Sequence, residues 1–293
     1  MTWRRAIALL MLVGCADVAE SAPDDGVEEA AEGERDEAFP ILAIQNGVSV
    51  RGAGPQQQWE GIVMTMRRVG TNQASVCSAT FITAQHLLTA AHCYDKAGVQ
   101  SVSVRAPSWN GNAWQLFDKA TVYQASGKPS YPTDIAVVDL GKAPDWVTPA
   151  RRFRIFSGRP TATDLHIYGY GGRAETTAGI DGTLRTAPGN ATVRITDGGK
   201  GYLTSVANAA RVCTGDSGGP AIREGSLPVV WGINRSFSTN AFQALLNPNP
   251  VCPSTGASMQ FTNISANMAF VEKSLGKPCS RIEVDGQPAA QCW

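Results

Sequence analysis

The sequence predicts an all-β protein made of many short strands. Two observations lead to this: the 293 residues include 30 glycines and 17 prolines, and the apolar residues fall in short runs separated by turn residues. In chain order the runs are Gly61–Met66, around Ile62 and Val63; Ala79–Thr83, around Phe81 and Ile82; Ser101–Arg105, with Val102 and Val104; and Asp134–Leu140, apolar from Ile135 to Val138. They continue with Asp164–Tyr168, around Leu165 and Ile167; Ala191–Thr196, around Val193 and Ile195; Pro228–Ile233; and Gln260–Ile264. Ala266–Leu275 alone carries apolar residues at helical spacing, which predicts a helix close to the C-terminus. No internal repeat is visible. A charged fraction of 17% and an aromatic fraction of 8% are ordinary for a soluble globular chain long enough to bury a substantial core.

The chemistry is concentrated in Gly215-Asp216-Ser217-Gly218-Gly219-Pro220. A serine hydroxyl is a weak nucleophile until a base takes its proton and donors await the oxyanion, and flanking glycines let backbone N–H groups approach a reacting carbonyl. A base and an acid precede it. Thr89-Ala90-Ala91-His92-Cys93 sets a histidine after an apolar stretch, and Asp134 opens the run to Leu140. The order is His92, Asp134, Ser217, with spacings of 134 − 92 = 42 and 217 − 134 = 83 residues. An α/β-hydrolase would place the serine first.

These motifs together resemble the trypsin/chymotrypsin-like serine proteases, and the similarity runs from about Ile44 to about Leu275. The resemblance implies two antiparallel six-stranded β-barrels with the active site in the cleft between them, followed by a C-terminal helix. It implies a serine endopeptidase in which Ser217 attacks, His92 is the base and Asp134 orients the imidazole. The N–H groups of Gly215 and Ser217 would form the oxyanion hole. Trp231-Gly232 matches the segment that pairs with substrate backbone, and Tyr168-Gly169-Tyr170-Gly171 matches the turn opening the second barrel. Ile44-Gln45-Asn46-Gly47 resembles the N-terminus freed on zymogen cleavage, here between Ala43 and Ile44, whose amino group pairs with the aspartate before the nucleophile, Asp216.

Departures from the family bear on the substrate and on the support of the aspartate. Arg211, six residues before the nucleophile, disfavours substrates with Lys or Arg at the cleavage site. It would suit acidic side chains, whereas Val212 and Met259, aligned to other pocket positions, would make the slot shallow and apolar. Val230 stands where a serine usually supports the catalytic aspartate.

Seven cysteines bear on compartment. The resemblance pairs Cys77 with Cys93 beside the histidine and Cys213 with Cys252 across the substrate pocket, leaving Cys279 and Cys292 for each other. Read from the residues alone, the last four allow three pairings. The odd cysteine is Cys15. Arg4 and Arg5 before the apolar Ala6–Val13 read as a secretion signal too short to span a bilayer, and Leu12-Val13-Gly14-Cys15 resembles a bacterial lipobox, which lipidates the cysteine.

The organisation expected is a signal peptide over 1–14, an acidic tether or propeptide over 15–43 and a protease domain over 44–293. The domain divides into barrels at about 44–155 and 156–276 and a disulfide-closed tail at 277–293. Residues 15–43 hold ten acidic residues and one arginine, too little apolar surface to fold. The expected protein is exported from a bacterial cell and held by lipid at the periplasm or cell surface until activation releases it. It is expected to be monomeric, to act on peptides or proteins, and to bind no nucleic acid, metal or organic cofactor. Arg151-Arg152-Phe153-Arg154 reads as a solvated face, and His86 and His166 lack metal-ligand spacing. Two other functions share these residues: an inactive protease fold serving as a binding or adhesion module, and an esterase or other acyl hydrolase using the same triad.

Overall fold

The computed structural model describes residues 48–50, 57–69, 73–94, 96–106, 114–127, 132–171, 182–187, 192–197, 201–206, 211–237 and 257–293. All belong to one compact unit, Pro40–Trp293. Cys15, Ile44 and Cys252 lie outside the described residues, as do the predicted signal, lipobox and acidic segment.

Seventeen strands are described: β1 (Val48–Ser49), β2 (Ile62–Val69), β3 (Gln73–Phe81), β4 (His86–Thr89), β5 (Gly98–Arg105), β6 (Gln115–Gln124), β7 (Ala136–Asp139), β8 (Arg154–Phe156), β9 (Thr163–Gly169), β10 (Arg185–Thr186), β11 (Val193–Asp197), β12 (Tyr202–Val206), β13 (Pro220–Arg223), β14 (Val229–Phe237), β15 (Ser258–Asn263), β16 (Ser280–Val284) and β17 (Gln287–Gln291). The first barrel closes in the order β2-β3-β4-β7-β6-β5 and back to β2. β2 and β3 pair from Ile62↔Thr80 to Val69↔Gln73. The second closes as β9-β11-β12-β15-β14-β13 and back to β9, every pair antiparallel. Two six-stranded barrels are what the resemblance implies.

Side-chain alternation fills each barrel. In β5, Val102 and Val104 turn inward beside exposed or half-buried neighbours, and in β11 Val193 and Ile195 do the same. The second interior also takes Leu165, Ile167, Leu203, Phe261 and Trp231, whose ring stacks on Phe156 at 3.7 Å between centroids. Burying side chains of this size contributes about 1.5–3 kcal/mol each. Tyr168, at the end of β9, stacks on Trp59 at 4.5 Å.

The predicted helix Ala266–Leu275 starts as a 3₁₀ turn at Ser265–Asn267 and becomes α1 (Met268–Leu275), which buries Met268 and Val271. Gly276, at φ 64°, ends it with its N–H on the Glu272 and Lys273 carbonyls. Several strands have no counterpart among the predicted runs. β6 carries Asp118 and Lys119 on an exposed face, and β13 begins at the proline that closes the nucleophile turn.

After α1 the chain forms the hairpin β16-β17, with Cys279 bonded to Cys292 at a Cα separation of 4.3 Å. β17 continues the second sheet against β8 through Ala289↔Phe156 and Ala290↔Ile155. Among the described residues no helix is long and apolar enough to cross a membrane.

The Cys279–Cys292 bridge spans 13 positions, so replacing both cysteines by serine is expected to lower stability by about 3 kcal/mol. Denaturant midpoints of the two proteins check this; coincident curves would show that the bridge constrains little.

Candidate active site

Two elements of the first barrel bring an imidazole to a carboxylate. His92 lies in the 3₁₀ turn Ala91–Cys93 just after β4, tied to β3 by the Cys77–Cys93 disulfide. Asp134 lies just before β7, and the pair Thr89↔Ala136 puts these two strand ends side by side. Asp134 Oδ1 accepts the His92 backbone N–H at 2.9 Å, and Oδ2 meets His92 Nδ1 at 2.8 Å. From the second barrel, Thr262 Oγ1 donates to the Asp134 carbonyl oxygen at 2.9 Å.

Asp134 is 1% exposed. Burial alone would raise its carboxyl pKa, but the side-chain and backbone hydrogen bonds from His92, with the charges of His92 and Arg235, outweigh it and hold the pKa below the ordinary value. An ionised carboxylate needs a donor at Nδ1. Nδ1 therefore carries a proton toward the carboxylate, and Nε2 is the ring nitrogen left for other partners, on a side chain that is 38% exposed. The sulfurs of Cys77 and Cys93 lie within 4.8 Å of a His92 nitrogen, but both are committed to the disulfide and are no thiolate ligands.

Ser217 stands in a turn fixed by backbone bonds. Asp216 N–H donates to the Cys213 carbonyl at 3.0 Å, Gly219 N–H to Asp216 at 2.9 Å and Gly218 N–H to Asn234 at 2.8 Å. Gly215 and Gly218 have φ of 95° and 83°, a region that side-chain-bearing residues rarely occupy. Space excludes a side chain at Gly218 as well, since a Cβ there would lie 2.1 Å from Thr89 Oγ1 and 2.2 Å from the Ser78 carbonyl oxygen. The turn docks on the first barrel through Ser78 N–H, 2.8 Å from the Ser217 carbonyl oxygen, and Ser78 Oγ, 3.0 Å from that of Gly215. Cys93 Sγ, next to the histidine, lies 3.9 Å from the Ser217 carbonyl oxygen. Among the described residues nothing accepts the N–H of Gly215 or Ser217.

Asp216 is fully buried. Its carboxylate accepts the N–H of Gly171 and of Cys213, each at 2.7 Å. The Tyr168-Gly169-Tyr170-Gly171 turn wraps this group. A Cβ at Gly169 would lie 2.2 Å from Asp216 Oδ1, and one at Gly171 would lie 2.6 Å from it. Backbone this close to a carboxylate requires glycine.

The expected substrate-pairing segment needs correction. Trp231 is 1% exposed inside the second barrel, and Gly232 pairs with Ala221 on one side and Asn263 on the other, so neither can meet a substrate. Val212 and Met259 belong to the same buried core, with the Val212 N–H 3.4 Å from Met259 Sδ. Arg211 is half-buried at the start of the nucleophile segment. Cys213 is disulfide-bonded, while its expected partner Cys252 lies outside the described residues. Val230 pairs with Ile222 and Ile155, away from Asp134.

The residue beside Asp134 is Arg235, whose Nε lies 3.1 Å from Oδ2. Sequence reasoning missed it because the Trp231-Gly232 dipeptide suggested a register five residues too early. The polarity change after Ile233, from an apolar run to Asn234-Arg235-Ser236, marks where this strand leaves the core. His86 and His166 sit apart, His86 bonded to Thr83 and facing Asp139, and His166 facing Glu224.

Because the Gly169 Cβ would overlap Asp216, Gly169→Ala is expected to cost about 2–3 kcal/mol through overpacking. Thermal unfolding measures it; an unchanged melting temperature would mean that the carboxylate can move aside.

A sequence model of the trypsin family matches residues 52–243. No curated protein matches the chain. The matched residues carry His92, Asp134, Ser217 and strands of both barrels, and the chain belongs to the trypsin family of serine proteases.

Proposed function

We propose that the protein is a serine endopeptidase that cleaves peptide bonds through an acyl-enzyme. The observation that carries this reading is the His92–Asp134 pair, bonded twice through one carboxylate, beside a serine turn whose Gly215 and Ser217 N–H groups have no acceptor among the described residues. His92 Nε2 takes the proton of Ser217 Oγ as it attacks, then passes it to the leaving amine. Asp134 holds the tautomer and stabilises the imidazolium, and the two N–H groups receive the oxyanion.

A peptide needs a strand edge. Ser236 and Phe237 pair with Gln260 and Met259 on β15, and their opposite edge has no partner among the described residues. We assign substrate pairing to this edge. It supports a peptide over a simple ester as substrate. Arg211 argues against Lys or Arg at the cleavage site, and the buried Val212 and Met259 are compatible with a shallow apolar slot. The binding-module reading loses the support of Val230, a core residue paired with Ile222 and Ile155, since the side chain beside Asp134 is Arg235.

Activation by cleavage between Ala43 and Ile44 is consistent with where β1 lies. Ser49 pairs with Arg185, and Arg185 with Gly169, which packs on Asp216. Two strand spacings are about 10 Å, and four residues reach about 13 Å, so a chain end at Ile44 can return to Asp216. Export by the signal at 1–14, lipid on Cys15, release of a monomeric enzyme on cleavage and the pairing Cys213–Cys252 complete the proposal.

A fluorophosphonate probe should label the chain cleaved before Ile44, and Ser217→Ala should abolish labelling. Equal labelling of both proteins would refute the assignment of the nucleophile. Asp134→Asn should lower kcat about 10⁴-fold, as removal of this carboxylate does in the template triad, with KM nearly unchanged; steady-state kinetics on a peptide substrate measure it.

A further inference from the structure

A fixed positive charge, Arg235, stands beside the buried Asp134 carboxylate. Arg235 is the extra residue where β14 shifts register against β15, between Asn234↔Phe261 and Ser236↔Gln260. A bulge re-aims a side chain, and here the guanidinium turns toward the first barrel. Its Nε stands 3.1 Å from the same Asp134 Oδ2 that His92 Nδ1 contacts at 2.8 Å. The Nε–H is not aligned for a hydrogen bond, so the contact is one of charge. One Nη donates to Gln260 Oε1 at 3.0 Å. The side chain is 16% exposed against 1% for Asp134, so little water screens the pair.

We propose that Arg235 is a positioning residue of the triad: its charge holds Asp134 in place from the second barrel and extends the working range of the site toward acid. This rests on the serine protease reading only for its kinetic consequence. The charged groups facing Asp134 are His92, from the turn after β4, and Arg235, from β14, while β15 contributes the neutral Thr262 and Gln260. An imidazolium at His92 is attracted by Asp134 and repelled by Arg235. The guanidinium and the imidazole are separated by at most the two contacts end to end, about 6 Å. At that range, in partly buried surroundings, one charge shifts a proton equilibrium by about one pH unit. An uncharged hydrogen-bonding side chain in the same place would support the aspartate without opposing the imidazolium.

The test compares the parent with Arg235→Gln and Arg235→Lys by two readouts, the pH dependence of kcat/KM on a peptide and the pH dependence of the His92 ring proton signal by NMR. With three histidines in the chain, that signal is identified by its loss in His92→Ala. Arg235→Gln should move the acid limb and the NMR transition together to higher pH by about one unit, and Arg235→Lys should leave both near the parent. Coincident transitions for parent and Arg235→Gln would overturn the proposal, as would equal shifts in the two variants, which would indicate lost packing in place of lost charge. An NMR shift without any Ser217-dependent hydrolysis would uphold the electrostatic role and overturn the protease reading. Should Arg235→Gln not fold, Gln260→Glu puts a countercharge on the guanidinium; a shift in the same direction supports the proposal, and no shift overturns it.

Discussion

The hydrogen bond from the Ser78 N–H to the Ser217 carbonyl oxygen, 2.8 Å long, joins the two halves of the site. Histidine and aspartate belong to the first barrel and serine to the second, so their mutual distance is only as definite as this join. Ser78 makes it definite in several directions. Its hydroxyl donates to Gly215 and accepts the Tyr170 N–H, each at 3.0 Å, and its carbonyl oxygen accepts Thr89 Oγ1 at 2.8 Å. One buried residue of β3 thus holds the nucleophile turn, the glycine turn that wraps Asp216 and the strand leading to His92. A side chain at Gly218 would push these surfaces apart, which is why glycine is required there even apart from its backbone angle.

Two buried aspartates of the candidate site meet the same electrostatic demand differently. Asp216 is answered by N–H groups of Gly171 and Cys213, part of the backbone and unable to titrate. Asp134 is answered by His92 and Arg235, an ionisable ring and a fixed cation. The Gly171 and Cys213 N–H groups are the same at every pH. The second arrangement sets one ionisable partner and one fixed charge on a single carboxylate, as the general-base role proposed for His92 requires.

The chemical groups were legible in the chain because each carries its own local context: a glycine-rich turn for Ser217, a short apolar stretch before His92, the mouth of an apolar strand for Asp134. The core runs were legible for a similar reason, since a buried face leaves its period in the sequence. Register was not. Trp231-Gly232 reads as a substrate-facing pair, yet Trp231 is a core residue stacked on Phe156, and only the pairing Pro220↔Ile233 fixes which later residue reaches Asp134. A one-residue bulge at Arg235 then shifts everything after it, and nothing local in the sequence marks that bulge. Strands such as β6 and β17, carrying polar residues on an open face, leave too weak a period to find.

The ring of the second barrel closes only when β13, which begins three residues after Ser217, pairs with both β9 and β14. The first barrel is complete by Asp139 and already contains the bonded His92 and Asp134. For a chain made from its N-terminus, the order of the triad along the sequence is also an order in time. His92 and Asp134 can be assembled before Ser217 has been made, and the proposed hydrolytic site must wait for β15, which ends at Asn263. On the proposed function, the nascent chain is thereby spared its own chemistry until nearly all of it exists.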